Sequence, residues 1–194
     1  MNEIIVAITG ASGVAYAARL LAVLAERSVH VHLLVTEPGA LVLERELGIG
    51  LDLRAPDLSP LIDPSAGVTY HRHDDIGAPI ASGSSSAEAM VVVPCSMDAL
   101  GAMAAGLSRN LSERAAAVML KEGRPLIVVP RETPLSTIHL ENMLRLARAG
   151  ACVLPAMPGF YHGPERVEDV VDFVVGKILN RLGIENDLVV WDGE

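Results

Sequence analysis

Aromatic residues are scarce in this chain, because phenylalanine, tyrosine and tryptophan make up only 3% of its 194 residues. Proteins that hold single-stranded nucleic acids stack the bases on aromatic side chains, and this sequence offers few of them. Positive charge is also in the minority, since 15 Lys and Arg residues face 24 Asp and Glu residues and the net charge is -9. We therefore expect neither a nucleic acid nor an anionic membrane as partner.

Cysteine is nearly absent, and long hydrophobic runs are missing. Cys95 and Cys152 are far apart, and neither lies in a Cys-x-x-Cys or Cys-His metal-binding pattern, so we expect reduced thiols, no metal and a cytoplasmic protein. No uncharged apolar run reaches the roughly 18 residues that span a bilayer, and the N-terminus lacks the basic segment of a secretory signal. The hydrophobic fraction of 51% then predicts a sheet core with subunit interfaces, hence a homo-oligomer.

Short apolar runs alternate with amphipathic segments. Buried parallel strands are predicted for the apolar runs at 4–8, 29–36, 89–93, 126–129 and 151–154. Helices are predicted by apolar spacing at 14–27, 37–46, 98–105, 110–121, 136–149 and 167–182. The alternation predicts one α/β domain over residues 1–194, a three-layer αβα arrangement with a mostly parallel sheet and a C-terminal tail at 183–194. Residues 48–80 lack periodicity and are predicted to be loop with one or two short elements.

Two strand-to-helix turns are candidates for a binding crevice. The first, TGASG at 9–13, has small residues that let a ligand approach the backbone, and the helix after it offers free N–H groups to a phosphate. The second, PCSM at 94–97, is expected at the same sheet edge. A tight turn that binds nothing is the alternative. The Gly-x-x-Gly spacing of Gly10 and Gly13 falls short of the dinucleotide pattern, which argues against a nicotinamide cofactor.

Several charged or hydroxyl-rich segments allow more than one interpretation. Arg131 and Glu132 follow a predicted strand, so they should lie at the carboxyl edge, where ligands bind in open α/β sheets. Lys121 ends a predicted helix, where a cation suits the helix dipole, and phosphate binding is the other interpretation. The segment His71–Asp75 suggests a metal site, but a solvated strand edge is favoured. The serine-rich segment 81–86 is either an anion-binding loop or a linker.

Taken together, these segments resemble the flavin prenyltransferases, the UbiX-type partners of UbiD-type decarboxylases. The resemblance covers nearly the whole chain, through GASG at 10–13, ASGS at 81–84, PCSM at 94–97, NLSERAAAVMLKE at 110–122, PRETPLSTIHLENML at 130–144 and PGFYHGPERVEDVVDFVVGKILN at 158–180. It implies a flavodoxin-like Rossmann domain in a dodecamer, with FMN at a junction of subunits. It also implies metal-independent transfer of a dimethylallyl group from dimethylallyl phosphate to N5 and C6 of reduced FMN, and a UbiD-type decarboxylase that receives the prenylated FMN.

The resemblance also implies roles for individual residues. Contacts to FMN are implied for Gly10, Ala11, Ser12, Thr36, Ser96, Met97, Asp98, Ala99 and Arg131. The prenyl phosphate would be held by Lys121, Tyr161 and Lys177, in a pocket also lined by Ser82 and Arg114. Proton transfer is implied for Ser12, Glu46 and Glu132. A phosphate leaves readily when fixed cations and donors meet its developing charge, so two lysines and a tyrosine suit this chemistry.

Three positions depart from the family pattern. Ile76 replaces a tryptophan that could stabilise an allylic cation, Ala99 replaces a threonine, and Lys177 stands where arginine also occurs. Two alternative functions stay open. One is an FMN-dependent decarboxylase of the peptidyl-cysteine type, which would need a catalytic histidine and a substrate clamp that the sequence does not reveal. The other is a non-enzymatic flavin carrier.

Overall fold

A parallel sheet forms the centre of the molecule in the computed structural model, which describes residues 1–63 and 65–188. Its strands are β1 (Glu3–Ile8), β2 (His30–Val35), β3 (Val68–His71), β4 (Ala89–Cys95), β5 (Leu126–Pro130) and β6 (Cys152–Val153). The order in the described part is β3-β2-β1-β4-β5-β6, and each neighbouring pair is parallel. Without the short edge strand β3, the other five follow the flavodoxin order. The predicted single α/β domain is confirmed.

Polar residues mark where the helices begin. The helices are α1 (Val14–Glu26), α2 (Glu37–Leu47), α3 (Met97–Ala104), α4 (Leu111–Lys121), α5 (Thr137–Arg148) and α6 (Val167–Leu182). The side chains of Thr36, Ser96, Asn110 and Ser136 each accept the backbone N–H three residues later, so they cap α2, α3, α4 and α5. Among residues 1–63 and 65–188, no helix has both the length and the apolar composition needed to cross a membrane.

Two hydrophobic cores lie on the two faces of the sheet. Val91 and Val93 of β4 pack with α1 and α6 on one face, whereas Met90 and Val92 pack with α3 and α4 on the other. Both faces are covered, which explains why the strands are continuous apolar runs rather than alternating ones. The predicted three-layer arrangement is confirmed. The last six residues of the predicted tail, 189–194, lie outside the described residues.

The irregular segment 48–80 contains strand β3 and the start of a short 3₁₀ helix, Pro79–Ala81. The prediction of a solvated edge at His71 is wrong, because His71 is only 8% exposed and its Nε2 lies 3.0 Å from Nδ1 of His32. Arg72 and Asp74 do form an exposed ion pair. Within the described ranges, no three His, Cys, Asp or Glu side chains are grouped so that they could hold a metal ion.

Candidate functional site

A cleft of about 420 Å³ opens at the carboxyl edge of the sheet, between the ends of β1 and β4. The connections from these two strands lead to opposite faces, so this is the switch point at which α/β sheets bind ligands. The starts of α2, α3 and α4 all reach its wall. The lining residues are Thr9, Gly10, Thr36, Pro38, His73, Val92, Ser96, Asp98, Ala99, Met103, Asn110, Ser112 and Glu113. The volume is typical of a small-molecule site.

Thr9 joins the two turns that were predicted to form the crevice. Its hydroxyl donates to the Pro94 carbonyl at 2.8 Å and accepts the N–H of Ser96 at 2.8 Å. Packing explains why residue 10 is a glycine, because a Cβ there would collide with Pro38. The two turns therefore lie side by side at one edge of the sheet, as predicted. The packing against Pro38 requires glycine at position 10 whether or not a ligand binds there.

The cleft suits a ligand that combines a phosphate with an aromatic ring. Five of the nine predicted FMN residues line it, namely Gly10, Thr36, Ser96, Asp98 and Ala99. Helix N-termini supply backbone N–H groups for a phosphate, and Val92 and Met103 supply apolar surface for a ring. The buried Oγ of Ser112 has no hydrogen-bond partner among the described residues. An unsatisfied buried hydroxyl costs about 1–3 kcal/mol, which a polar ligand group can relieve. The donor set therefore fits FMN.

The other predicted FMN residues lie in the turns beside the cleft. Ala11 and Ser12 belong to the turn after β1, and Met97 is the first residue of α3. Arg131 follows β5, and its N–H donates to the Cys95 carbonyl at 3.3 Å. Burial raises the pKa of Tyr16, and the charge of Arg131 opposes this shift, which places Arg131 near the first turn of α1. Tyr16 was not among the predicted site residues.

The carboxylates of Glu46 and Glu132 both accept hydrogen bonds from backbone N–H groups. Glu46 accepts from Gly13 at 2.9 Å and from Val14 at 3.2 Å, so it neutralises the start of α1. Glu132 accepts from Thr133 at 3.0 Å. The Glu46 contact brings this residue to the same turn as Ser12. Helix capping by itself accounts for the position of Glu46, and its role in proton transfer stays a prediction.

A buried carboxylate in the cleft wall was missed by the sequence reasoning. Glu113 is 5% exposed and accepts hydrogen bonds from the N–H of Arg109 at 2.7 Å, from Nη2 of Arg109 at 2.8 Å and from Nδ2 of Asn110 at 2.9 Å. Burial acts to raise its pKa, but the bonds from Arg109 and Asn110 outweigh burial and lower it. In the sequence, Asn110 and Glu113 stand only within the segment NLSERAAAVMLKE, with no role assigned to either residue. The wall therefore holds an ionised carboxylate that is paired with Arg109, near His73, whose own pKa is lowered by burial.

Ser82, Arg114 and Lys121 form a second group, centred on the opposite edge of the sheet. The loop 82–88 precedes β4 and therefore lies at the amino edge of the sheet. Helix α4 begins at the cleft and runs towards that edge, so its last residue, Lys121, is about 16 Å from the helix end that lines the cleft. Nε of Arg114 donates to the Ala81 carbonyl at 2.9 Å. A Cβ on Gly83 would lie 2.8 Å from Nζ of Lys121, which also pairs with Glu122. The structure thus brings these three predicted residues to one segment, with Lys121 away from the cleft and Arg114 directly after the cleft-lining Glu113.

Tyr161 and Lys177 form a third group on the other face of the sheet. Nζ of Lys177 lies 5.3 Å from the ring centroid of Phe173 on α6, and the Tyr161 ring packs edge-on against Phe173 at 5.7 Å. His162 stacks on the same ring at 5.4 Å. Helix α6 packs on one face and α4 on the other, so the sheet separates Lys177 from Lys121. The two lysines therefore belong to helices on opposite faces of the sheet within one chain.

The comparisons with known proteins agree with this fold. A family model described as Flavoprotein matches residues 1–179. The chain is 50% identical over 190 residues to the flavin prenyltransferase UbiX of Halalkalibacterium halodurans, which covers 97% of this chain and 92% of that protein.

Two solved structures are also similar. The first is described as a dodecameric FMN-dependent UbiX-like decarboxylase from Escherichia coli O157:H7, with a TM-score of 0.89, 42% identity and coverage of 98% of this chain and 100% of that one. The second is AnUbiX (PadA1) in complex with FMN and dimethylallyl pyrophosphate, with a TM-score of 0.86, 37% identity and coverage of 100% and 98%. On these identities and coverages, the chain belongs to the UbiX-type flavin prenyltransferase family.

Proposed function

We propose that this protein transfers a dimethylallyl group from dimethylallyl phosphate to N5 and C6 of reduced FMN, and that a UbiD-type decarboxylase receives the prenylated FMN. The main structural support is the cleft at the switch point, where five predicted FMN residues and the starts of three helices meet. Membership of the flavin prenyltransferase family supports the same reaction.

The residues around the cleft would hold FMN. The N–H groups at the starts of α2 and α3, with the hydroxyls of Thr36 and Ser96, suit its phosphate, and Arg131 would add a positive charge from the end of β5. When bound, the reduced flavin supplies the nucleophilic ring positions of the reaction. Val92 and Met103 present apolar surface there, and such surface helps to exclude water that would trap an allylic cation.

The prenyl phosphate would be held by Lys121, Tyr161 and Lys177. Fixed cations and a phenol group stabilise the negative charge that grows on a departing phosphate, without a metal ion. Ser82 and Arg114 would line the same pocket. Ser12, Glu46 and Glu132 would move the protons, and the last two already bind N–H groups at the carboxyl edge.

The complete site then requires more than one copy of the chain. Lys121 and Lys177 lie on helices of opposite faces of the sheet, and we infer that they meet one phosphate from different subunits. Helix α5 also exposes apolar side chains, with Ile138 68%, Leu140 53% and Leu144 50% exposed. We propose a homo-oligomer, and the dodecameric state of a 42% identical relative supports a dodecamer. The unpaired Cys95 and Cys152 are consistent with the proposed cytoplasmic location.

Anaerobic incubation with FMN, a reductant and dimethylallyl phosphate tests the proposal. Mass spectrometry should find a flavin heavier by one prenyl unit, together with released phosphate. Parallel reactions with dimethylallyl pyrophosphate establish which donor is used. A protein that binds FMN but produces no heavier flavin with either donor would contradict the proposal and favour the flavin carrier. Release of carbon dioxide from a peptide with a C-terminal cysteine would instead favour the decarboxylase.

A further inference from the structure

One guanidinium group holds the serine-rich loop before β4. Nη1 of Arg124 donates to the carbonyls of Ser85 at 2.8 Å and Ala87 at 2.9 Å, and Nη2 donates to the carbonyl of Gly83 at 2.9 Å. These three carbonyls belong to alternate residues of the loop. The planar, always charged fork of arginine can satisfy several acceptors in fixed directions, which a lysine cannot do.

The backbone around Arg124 fixes the direction from which its side chain enters the loop. Helix α4 ends at Lys121, and Gly123 then takes a left-handed conformation with φ of 65°. This turn lets the N–H of Arg124 donate a hydrogen bond to the Met119 carbonyl, with an N···O distance of 2.8 Å. The turn thus ties Arg124 to the same helix end that presents Lys121, so the two cations have a fixed relation to each other.

The loop held in this way contains Ser82, which the proposed function places in the substrate pocket. The Ser82 hydroxyl lies 2.8 Å from the hydroxyl of Ser84 and accepts the Ser84 N–H at 3.3 Å. Gly83 lies directly against the Lys121 ammonium group. A shift of this short loop would therefore move the Ser82 hydroxyl and the surroundings of Lys121 together.

We propose that Arg124 is a positioning residue for the prenyl donor, acting through the loop 82–87 rather than by touching the donor itself. This inference rests on the proposed function. Misplacing catalytic groups by about 1 Å costs on the order of 10²-fold in rate, so loosening this loop should have a large effect on donor use. The flavin cleft lies at the opposite edge of the sheet, so FMN affinity should change little.

The test compares Arg124→Met with Arg124→Lys and with the matched control Arg27→Met, an exposed arginine at the end of α1. We expect Arg124→Met to raise the KM for dimethylallyl phosphate at least about tenfold, within the range seen when a supporting residue of a site is lost, while the Kd for FMN stays within about twofold. Arg124→Lys should recover part of the loss, and Arg27→Met should behave like the native protein.

Hydrogen exchange gives a readout that does not depend on activity. The amides of residues 82–87 should exchange faster in Arg124→Met, whereas those of β4 should not. An unchanged donor KM in Arg124→Met would overturn the proposal, as would unchanged exchange of the loop. If Arg124→Met fails to fold, the same two measurements on Arg124→Lys decide the question. Failure of the native protein to prenylate FMN would contradict the proposed function instead, so the two failures are distinguishable.

Discussion

Lys121 and Glu132 lie at opposite edges of the same sheet, with strand β5 between them. The five residues of β5 span about 16 Å at roughly 3.3 Å per residue, so one chain cannot bring both side chains to a single reacting bond. If both residues serve one reaction, they belong to different subunits of the site.

Mixing two inactive variants should therefore restore activity. Lys121→Ala and Glu132→Gln are each expected to bind FMN and to lose prenyl transfer. After unfolding and refolding together, about a quarter of the sites should receive one intact residue from each kind of chain, since subunits of a homo-oligomer mix at random. Prenylated flavin formed per subunit measures the recovery.

The matched control mixes Lys121→Ala with Ser82→Ala. Ser82 belongs to the loop and Lys121 lies against it, so one subunit supplies both residues to a site. Every chain in this mixture lacks one of the two, so no site receives both intact. Activity should stay at the average of the two separate variants. Equal recovery in both mixtures would contradict the composite site.

The Glu46 carboxylate offers a way to separate a structural role from a chemical one. Glu46 caps α1 through Gly13 and Val14, and glutamine can accept the same hydrogen bonds without exchanging a proton. Glu46→Gln should keep the two hydrogen bonds, lose only the charge interaction with the helix start, about 0.5 kcal/mol, and slow prenyl transfer. Glu46→Ala should also lose about 1 kcal/mol of unfolding free energy, the usual cost of removing a helix cap. Urea denaturation and the transfer rate check the two effects. A fully active Glu46→Gln would mean that Glu46 only caps the helix.

Burial of His71 predicts that stability falls in mild acid. Burial lowers the pKa of His71 below the ordinary histidine value of about 6.5, and the neighbouring His32 lowers it further, while Asp75 partly offsets both. The folded protein thus binds a proton at His71 less readily than the unfolded chain does. Above the pKa that His71 has in the unfolded chain, His71 is neutral in both states and costs no folding free energy. The free energy of unfolding then falls as the pH drops below about 6.5. His32 also contacts Glu3, whose pKa is lowered by hydrogen bonds from Ser86 and His32.

Calorimetry at about pH 7.5 and about pH 5.5, on either side of the histidine range, measures this effect. The native protein should have a lower Tm in acid, and His71→Gln should show a smaller difference between the two conditions. The His71 ring nitrogen bonds to His32, so the variant is also expected to be less stable at neutral pH. An equal acid-induced loss of Tm in both proteins would assign the effect to other groups, such as His73.

The sequence predicted the regular elements well where the signals are local. The bounds of α6 match those predicted, and the caps of α4 and α5 lie where polar residues precede an apolar pattern. Strand β3 was predicted only as a short element within 48–80 and as a strand edge at His71, without its bounds. It is an edge strand that pairs with β2 and is only partly buried, so it lacks the continuous apolar run of the inner strands.

The candidate site was predictable in its parts but not in its assembly. The turns at Gly10 and Ser96 could be recognised because the ligand-facing N–H groups follow a strand directly in the sequence. Lys121 and Arg131 are close in the sequence, and the resemblance assigns them to one reaction. They are separated in space because the chain crosses the whole sheet between them along β5. The hydrogen bonds of Arg124 join residues about 40 positions apart, which no local pattern indicates.

Restoring the threonine of the family pattern at Ala99 should tighten FMN binding. Ala99 lies in the first turn of α3, lines the cleft and has its N–H bonded to Ser96 Oγ at 3.2 Å. A hydroxyl added there can bond to the flavin, and one neutral hydrogen bond contributes about 1 kcal/mol, which lowers the Kd about fivefold. Threonine is less favourable than alanine in a helix by up to about 0.7 kcal/mol, a cost to folding stability rather than to the flavin contact. Ala105→Thr is the control, because Ala105 is exposed at the other end of α3. Titration of FMN fluorescence should show tighter binding for Ala99→Thr alone, and equal Kd values in both variants would show that position 99 does not contact the flavin.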